Sequence, residues 1–358
     1  MVPYVPAEAI GAVSNVLLSR WIGQGPKVEE FERRFSEQIA GGRASVATGS
    51  CTDALHLAYL LAGIGPGDEV IAPLFTCTAT NIPLLYCGAT IRFCDVAPDS
   101  LNMDPVHCKS LLTERTKAIV VVNYGGAPVS KDFFNFGTPV IEDCAQSLGG
   151  RFPIRGKYAC FSFQAVKHIG TGDGGMLVCP EGLQAKAKRI RWFGIDRAAK
   201  LAGTWANDIT ELGYKYQMND IAAAMGIEGL NGLDSQMRHR RKLRSAYFQG
   251  VLGVSGITLL DTDGDSACWL CTVAVERRDD FKRKLFSEGI ESDQTHYRND
   301  RYTIFKQFVG ADVNWPKCRE GQFPNMDAID SKYLVLPMHM GMDIADVEHI
   351  CAVIRSGW

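Results

Sequence analysis

Short apolar runs alternate with helical stretches through the first two-thirds of the chain. Each run has the length of a buried strand and is bounded by residues that favour turns. This alternation is typical of an α/β fold, in which a mostly parallel sheet carries helices on both faces. The predicted strands are Ala44–Ala47, Glu69–Ala72, Thr90–Cys94, Ala118–Asn123, Val140–Asp143, Ala159–Phe163 and Met176–Cys179, and the predicted helices between them are Thr52–Ala62 and Asn81–Cys87.

The pattern changes near Met218, where the sheet-like region ends. We expect a large domain, residues 1–232, and a smaller α+β domain, residues 233–358, on which the N-terminal segment packs. The later segments are a helix at Asp220–Phe248, a β-like run at Ala267–Val275, a helix at Asp279–Gly289, a less regular part at Ser292–Asp330 and a helix at Asp343–Ser356.

The composition is that of a soluble globular protein without a preference for polyanions. Hydrophobic residues make up 46% and charged residues 22% of the 358 residues, and 38 Lys and Arg oppose 40 Asp and Glu, which gives a net charge of −2. A chain so close to neutral gives no basis for binding nucleic acid or an anionic membrane. The basic run from Arg238 to Lys242 is predicted to be a solvated helix face.

The sequence predicts a cytoplasmic protein that does not span a membrane and needs no disulfide or metal. The first basic residue is Arg20, which argues against a secretory signal, and the longest uncharged stretch, Val70–Ile91, is interrupted by prolines. The 12 cysteines are scattered, many in apolar runs, as small core residues of a reducing compartment are. Cys268 and Cys271 form a Cys-x-x-Cys pair, and the apolar residues after it predict a buried strand.

Two polar residues at the ends of neighbouring predicted strands form the most informative constellation. Asp143 ends a short buried strand, and Lys167 lies where the next strand, Cys160–Phe163, runs into a glycine-rich loop. Pyridoxal 5'-phosphate (PLP) requires such a pair, because a lysine amine condenses with its aldehyde and a carboxylate holds its pyridine nitrogen protonated. Taken alone, Asp143 could cap the next helix, and Lys167 could be an exposed loop residue.

A segment of small hydroxyl residues precedes an apolar helix within Ala47–Ala58. Free backbone N–H groups and the helix dipole favour an anion there, so this segment is a candidate phosphate site. The Gly-Lys-Ser/Thr ending of a Walker loop is missing, and an ordinary helix cap at Ser50 or Thr52 is the alternative. The combination with Asp143 and Lys167 favours the phosphate of PLP.

These features belong to a series of motifs that runs through nearly the whole chain. In this order, the motifs resemble the DegT/DnrJ/EryC1/StrS family of PLP-dependent nucleotide-sugar aminotransferases. They are Gly25-Pro26-Lys27-Val28-Glu29-Glu30-Phe31-Glu32, Thr52-Asp53-Ala54-Leu55-His56, Gly63-Ile64-Gly65-Pro66-Gly67-Asp68-Glu69-Val70, Glu142-Asp143-x-Ala145-Gln146, Phe161-Ser162-Phe163 followed by Lys167, Glu211-Leu212-Gly213-Tyr214-x-Tyr216-x-Met218-Asn219-Asp220-Ile221, and Leu336-Pro337-Met338-His339.

The resemblance implies a fold-type-I, PLP-dependent homodimer with active sites at the subunit interface. In such an enzyme Lys167 would bind the cofactor covalently, Asp143 would hold the pyridine nitrogen, and Gln146 would lie against the oxygen side of the ring. Positions that bind the cofactor phosphate in the family are matched by Cys51, Thr52 and Ser162.

Three positions depart from the family pattern. Cys51 stands where glycine is usual in the phosphate turn, and its backbone N–H could still bind the phosphate. Cys77 stands where an aromatic residue commonly stacks on the cofactor, so Cys77, its neighbour Phe75 or another group would cover the outer face of the ring. Lys215 replaces a common asparagine that reaches the partner's phosphate, and a lysine could reach it as a point charge.

The resemblance predicts that L-glutamate donates its amino group to a nucleotide-linked keto sugar, with Lys167 shuttling the proton. The segment 213–221 resembles members that act at C4 of a 6-deoxyhexose, so the expected product is a 4-amino-4,6-dideoxy sugar nucleotide for surface polysaccharide, such as lipopolysaccharide O-antigen, or for a natural-product glycan. The alternatives are a C3-acting aminotransferase, a PLP-dependent sugar dehydratase and a non-enzymatic regulator. Dehydratases of this fold have a histidine in place of the lysine, whereas here His168 only follows Lys167.

Two later segments contain candidate substrate contacts. Both histidines among them could instead have a purely structural role: His296 could be a surface loop residue, and His339 could be a core histidine whose hydrogen bonds are satisfied. The candidates are His296, Tyr297, Arg298 and Asn299 in one segment and His339 in the other.

Overall fold

A computed structural model describes residues 2–206, 208–260, 263–309 and 321–358. The larger of its two sheets has seven strands, each within two residues of a strand predicted from the sequence. The predicted α/β fold with a mostly parallel sheet is confirmed. The strands are β1 (Ala44–Thr48), β2 (Glu69–Pro73), β3 (Thr90–Cys94), β4 (Thr116–Val122), β5 (Val140–Asp143), β6 (Tyr158–Ser162) and β7 (Gly175–Cys179).

The strand directions bring several loops to one edge of this sheet. The strand order is β1-β7-β6-β5-β4-β2-β3, and β7 pairs antiparallel with both β1 and β6. The four other pairs are parallel, so every strand except β7 runs in the same direction. The carboxyl ends of β1, β2, β5 and β6 therefore lie along one edge, which is where open α/β sheets bind ligands.

Helices cover both faces of the sheet, because successive side chains of a strand point to opposite faces. On β2, Val70 and Ala72 belong to the core beneath the helices that follow β1 and β2, whereas Ile71 belongs to a core on the other face. The second of these helices begins at Thr78, three residues before its predicted start. The helices of this part are α1 (Glu8–Ser19), α2 (Pro26–Gln38), α3 (Cys51–Leu61), α4 (Thr78–Tyr86), α5 (Pro105–Leu111), α6 (Gln184–Ile190) and α7 (Arg197–Leu201).

A 32-residue helix, α8 (Asp220–Val251), connects the two sheets. The Asn219 side chain caps it by accepting a hydrogen bond from the Ala222 N–H at 2.9 Å, and α1 and α2 both pack along it. Gly226 permits this close packing, since a Cβ there would lie 2.6 Å from the ring of Phe31. The helix runs through residue 232 without a break, and the division into two domains at that residue stays a prediction.

The second sheet is antiparallel and has the order β10-β9-β8. Two of its short strands, β8 and β10, were not predicted, and the predicted less regular part contains two 3-10 turns and one helix. Residues 310–320 of that part lie outside the described residues. The elements are β8 (Ile257–Leu259), β9 (Cys271–Val275), α9 (Arg278–Ser287), α10 (Pro324–Ile329), β10 (Tyr333–Leu336) and α11 (Ile344–Arg355).

The strand predicted at Ala267–Val275 begins only at Cys271, and the four residues before it have another function in the fold. The N–H groups of Ala267 and Trp269 donate hydrogen bonds to the carbonyls of Gly126 and Gly125, each at 2.9 Å. These bonds attach the segment 267–270 to the loop after β4, so it cannot continue the second sheet. Trp269 is thereby brought to the carboxyl edge of the large sheet.

The basic run on α8 is only partly solvated, which corrects the prediction for residues 238–242. Arg238 and Lys242 are exposed, but Arg240 is buried and its guanidinium donates hydrogen bonds to the carbonyls of Cys268 (3.3 Å) and Trp269 (3.4 Å). This arginine therefore stabilises the segment that carries Trp269. In the ranges that the structure describes, no helix is long and apolar enough to cross a membrane.

Candidate active site

Asp143 is the last residue of β5 and lies buried at the carboxyl edge of the sheet. Its Oδ1 accepts a hydrogen bond from the Ala145 N–H at 3.0 Å, and its Oδ2 accepts one from the Thr80 hydroxyl at 2.8 Å. Burial raises the pKa of Asp143, whereas these two donors and the nearby Lys167 lower it. The site thus contains a desolvated carboxyl group that its neighbours stabilise in the charged form.

Lys167 lies in the loop between β6 and β7, close to Asp143. Its N–H donates to the Gln164 carbonyl at 2.8 Å, and its Nζ lies 3.8 Å from the centroid of the Trp269 ring. Burial lowers the pKa of this amine, and the charge of Asp143 opposes that change. A lysine with a lowered pKa has a larger fraction of neutral amine, the form that attacks a carbonyl.

The candidate phosphate residues surround the start of α3. Ser50 caps this helix by accepting a hydrogen bond from the Asp53 N–H at 3.1 Å, so Cys51 and Thr52 are its first two residues. Gly175 on β7 permits this approach, because a Cβ there would lie 2.3 Å from the Ser50 carbonyl oxygen. Cys51 is buried, and burial raises the pKa of its thiol well above the usual value. Its thiol therefore stays neutral, and its backbone N–H at the helix start is the group suited to an anion.

Ser162 ends β6 at the same edge of the sheet. It is buried at the junction with the lysine loop, and its hydroxyl oxygen accepts a hydrogen bond from the Gln164 N–H at 3.3 Å. This bond leaves the hydroxyl hydrogen available for a second partner. The fold therefore places a free donor between the strand end and the loop that carries Lys167.

Cys77 is exposed at the residue before α4, and its side chain lies near the Lys167 amine. Phe75, the other residue considered for the outer face of the cofactor, is enclosed by the rings of Tyr124, His296 and Tyr333 at centroid distances of 5.0 to 6.0 Å. Of these two residues, Cys77 is the one with an accessible side chain beside the lysine.

Gln146 and His296 form a polar pair near Lys167. The Gly125 N–H donates to Gln146 Oε1 at 2.7 Å, so the amide NH2 of Gln146 faces His296 Nε2 at 3.2 Å. Since an amide nitrogen can only donate, this Nε2 is the acceptor and the proton of the neutral ring lies on Nδ1. Burial and the charge of Lys167 lower the pKa of His296 to about 4, which keeps the ring neutral at pH 7.

The other candidate substrate residues fall into two groups. Arg298 and Asn299 are buried: the Arg298 guanidinium pairs with Asp300 at 2.8 Å, and the Asn299 side chain donates to the Thr76 carbonyl at 2.8 Å. Their polar groups are thus used within the chain. By contrast, Tyr297 is 46% exposed and His339 is partly exposed, with its Nδ1 accepting from the Gly341 N–H at 3.2 Å.

Lys215 is exposed, and its neighbours in the sequence are two tyrosines. The rings of Tyr214 and Tyr216 are 5.0 Å apart at an angle of 10°, so both point to the same side of the segment and Lys215 points to the other. The Tyr216 hydroxyl lies 2.9 Å from Nδ1 of His56, a buried residue of α3. This contact fixes the segment that carries Lys215 to the helix of the candidate phosphate site.

Three residues of this site were not predicted from the sequence: Thr80, Trp269 and His56. Trp269 and Thr80 contact Lys167 and Asp143, respectively, and His56 orients Tyr216. The motif Thr52–His56 contained His56, and its position one turn after the helix start could have indicated a link to the phosphate site. Neither Thr80 nor Trp269 has a local signal, because each meets its partner across more than 60 positions of sequence.

The set of donors and acceptors fits PLP. A buried carboxylate and a partly buried amine of lowered pKa lie together, and a helix begins beside them at a turn that only a glycine in β7 accommodates. A cavity of about 480 Å³ lies on the opposite face of β5, beside Glu142 and Arg241, and none of the predicted site residues lines it. The carboxyl edge of the sheet, and not this cavity, contains the candidate chemistry.

Several known proteins are similar to this chain over nearly its full length. A family model for the DegT/DnrJ/EryC1/StrS aminotransferases matches residues 3–355. The spore coat polysaccharide biosynthesis protein SpsC of Bacillus subtilis (strain 168) is 31% identical over an alignment of 379 positions, which covers 99% of this chain and 95% of SpsC. The crystal structure of the sugar aminotransferase CalS13 from Micromonospora echinospora is similar to this chain, with a TM-score of 0.90 and 30% identity over 100% of this chain and 99% of CalS13. The crystal structure of AtS13 from Actinomadura melliaura is similar as well, with a TM-score of 0.90 and 33% identity over 99% of this chain and 97% of AtS13.

Proposed function

We infer the detailed activity of this chain, which belongs to the DegT/DnrJ/EryC1/StrS aminotransferase family, from that membership and from the geometry of its site. The chain is a PLP-dependent sugar aminotransferase. Within that class, we propose that it transfers the amino group of L-glutamate to C4 of a nucleotide-linked 4-keto-6-deoxyhexose. The product is a 4-amino-4,6-dideoxy sugar nucleotide, used for a surface polysaccharide such as O-antigen or for a natural-product glycan.

The pairing of Asp143 with Lys167 is the observation that carries this proposal. When bound, PLP supplies an electron sink through which an amino group moves between donor and acceptor. In the proposed site Lys167 holds the cofactor covalently and then moves a proton at its Nζ, for which its lowered pKa suits it. Asp143 holds the proton of the pyridine nitrogen, since its carboxylate is desolvated and its two donors favour the charged form.

The remaining cofactor contacts in the proposal lie at the strand ends around this pair. The backbone N–H groups of Cys51 and Thr52 and the Ser162 hydroxyl bind the phosphate, which the dipole of α3 also favours. The second hydrogen of the Gln146 amide would be available to the ring oxygen, because the first faces His296. Cys77 is proposed to lie at the outer face of the ring.

The position of His168 supports transamination over the dehydratase alternative. His168 is buried, and its Nε2 lies 2.9 Å from the Ala267 carbonyl oxygen. Burial and the charge of Arg240 lower its pKa well below the usual value, so it stays neutral. With its ring held in this place, His168 cannot take the position of Lys167 as the proton carrier.

The proposed working unit is a cytoplasmic homodimer in which the partner completes the phosphate site through its own Lys215. Large apolar side chains that are exposed on two segments support an interface, because contact with a second chain would remove them from water. On α1, Leu18 is 81% exposed, and in the segment before Lys215, Trp205 and Leu212 are 78% and 76% exposed. A second copy would cover these residues.

Substrate contacts are proposed for the candidates that are exposed or partly exposed, which are Tyr297, His339 and His296. The buried residues Arg298 and Asn299 support the same loop from beneath, and for them the contact role stays a prediction from the sequence. Asn299 does this through its N–H, which donates to the Leu74 carbonyl at 2.8 Å.

An assay of the holoenzyme with a panel of sugar nucleotides tests the proposal. The panel contains dTDP-, UDP- and GDP-linked 4-keto-6-deoxy sugars and their 3-keto isomers, each with L-glutamate, and Lys167→Ala is the inactive control. We expect release of 2-oxoglutarate and a new C4 amine with one of the 4-keto substrates. Turnover confined to a 3-keto substrate, or loss of the sugar's hydroxyl without amination, would replace this proposal by one of the two enzymatic alternatives.

A further inference from the structure

Asp143 is bonded to a buried pair of threonine hydroxyls that the activity described so far does not use. Thr80 Oγ1 lies 2.8 Å from Asp143 Oδ2, and Thr76 Oγ1 lies 2.8 Å from Thr80 Oγ1. Both threonines are at most 1% exposed. The two hydroxyls and the carboxylate therefore form a chain of hydrogen bonds that water does not reach and that ends at Asp143.

The direction of the hydrogens in this chain is determined by the carboxylate. A hydroxyl has one hydrogen, and an ionised carboxylate can only accept, so the Thr80 hydrogen points to Asp143. The Thr80 oxygen must then accept from Thr76, which fixes that hydrogen as well. Each hydroxyl polarises the next, so the two bonds strengthen each other in this low-dielectric place.

The backbone around Thr80 is held from two sides. Its N–H donates to the Cys77 carbonyl at 3.1 Å, and its own carbonyl accepts from the Tyr59 hydroxyl at 2.8 Å. Tyr59 is a fully buried residue of α3, so α3 and the start of α4 together fix the position of the Thr80 side chain. The donor is thus preorganised and does not have to be recruited when a ligand binds.

We propose that Thr80, supported by Thr76, is a positioning residue that keeps Asp143 ionised and oriented toward the cofactor nitrogen. This inference rests on the proposed function, in which Asp143 holds that nitrogen. Thr80 acts through Asp143 and does not touch the cofactor or the substrate in this account.

A positioning residue is needed because most of the surroundings of Asp143 disfavour its charge. The titratable groups that face it are the amine of Lys167, the phenol of Tyr59 and three thiols, and of these only the amine can balance a carboxylate. The thiols are those of Cys51, Cys144 and Cys160, which burial keeps neutral. The negative charge of Asp143 is therefore stabilised by Lys167 and by two hydrogen bonds, one from the Ala145 N–H and one from the Thr80 hydroxyl.

Replacement of Thr80 by valine removes the hydroxyl and keeps the shape of the side chain. We expect Thr80→Val to bind PLP about tenfold more weakly and to lose about tenfold in kcat/KM, as a hydrogen bond to a charged group is lost. The acid limb of the kcat/KM profile should also move to higher pH, because the loss of this donor raises the pKa of Asp143. Thr80→Ser, which retains the hydroxyl, should stay within about twofold of the parent.

A matched control lies two residues away on the same helix. Thr78→Val makes the same change of side chain outside the chain of hydroxyls, and it should change neither PLP affinity nor the pH profile. Thr76→Val removes only the second hydroxyl, so it should act in the same direction as Thr80→Val with about a threefold effect. If Thr80→Val does not fold, Thr76→Val takes its place in the measurement that follows.

A double-mutant cycle with Asp143→Asn, measured as PLP affinity of the apoenzyme, tests the inference directly. The effect of Thr80→Val should shrink to about twofold or less in the Asp143→Asn background, because a hydroxyl stabilises a neutral amide less than it stabilises a carboxylate. An equal effect in both backgrounds would give Thr80 a merely structural role and overturn the inference. If Asp143→Asn is impaired and Thr80→Val is not, the inference fails while the proposed function stands. Normal affinity and turnover of Asp143→Asn would refute both together.

Discussion

The amine of Lys167 lies against the face of the Trp269 ring, with 3.8 Å between Nζ and the ring centroid. The indole is fixed by its Nε1, which donates to the Val166 carbonyl at 3.3 Å, and by its own backbone bond to Gly125. An aromatic face attracts an ammonium group, whereas burial favours the neutral amine. The contact with Trp269 therefore favours the charged form of the Lys167 amine, against the effect of burial.

Loss of the indole should make Lys167 less basic. A cation–π contact is worth about 0.5–2 kcal/mol, so Trp269→Leu should lower the pKa of the Lys167 amine in the apoenzyme further. The pH dependence of chemical labelling at Lys167, followed by peptide mapping, measures this. Trp269→Phe retains an aromatic face and is the control. An unchanged pKa in Trp269→Leu would show that the ring only fills space.

The sheet and the acid–lysine pair could be predicted because both have local causes. Each strand is a short apolar run, and parallel strands end at the same edge, so Asp143 and Lys167 had to lie close together once β5 and β6 were recognised. The short strands β8 and β10 were missed, since three or four residues give too little pattern to separate a strand from a loop.

The supporting contacts could not be predicted, because they join residues that are distant in the sequence. Thr80 and Asp143 are 63 positions apart, and Trp269 and Val166 are 103 apart. A candidate such as Arg298 had the composition of a substrate contact, and only the fold shows that Asp300 and Asp327 surround its guanidinium. Tertiary pairing of this kind leaves no periodic signal in a single sequence.

Asp143→Asn should retain the fold and lose most of the turnover. An amide can still exchange hydrogen bonds with Thr80 and Ala145, but it has no charge to hold the pyridine nitrogen protonated. We expect kcat to fall on the order of a hundredfold or more, as when one partner of a buried charge pair is removed. Steady-state kinetics with thermal unfolding as the control for folding measure this, and near-normal activity would mean that another acid holds the nitrogen.

His56 should make the protein less stable in mild acid. Burial lowers its pKa from 6.5 to about 4 in the folded state. Between these values the unfolded chain binds a proton that the folded chain does not, so stability falls as the pH is lowered through this window. The contribution of one such group is at most about 1.4 kcal/mol per pH unit.

Urea unfolding of His56→Gln between pH 7 and pH 4 measures that contribution by difference. The variant should lose less stability than the parent over this interval, because the glutamine does not titrate. His349→Gln, on the exposed surface of α11, controls for the removal of a histidine. Parallel curves for His56→Gln and the parent would show that His56 protonates equally in both states.

Lys215 should act across the subunit interface. A desolvated ammonium–phosphate contact is worth roughly 1.5–3 kcal/mol, so Lys215→Ala should hold PLP about tenfold or more weakly and lose its colour on dialysis. Mixing Lys215→Ala with Lys167→Ala should restore some activity, since mixed dimers contain sites in which both lysines are intact. A monomer in light scattering, or a Lys215→Ala protein that retains PLP like the parent, would contradict the shared site.

The most direct test of the proposed PLP site is to identify the lysine that carries the cofactor. Borohydride reduction of the holoenzyme makes a covalent link between cofactor and lysine permanent, and peptide mapping by mass spectrometry then locates it. We expect the pyridoxyl mass on the peptide that contains Lys167, and no labelled peptide from Lys167→Ala. A pyridoxyl group on Lys157 or Lys215 in the parent protein would contradict it.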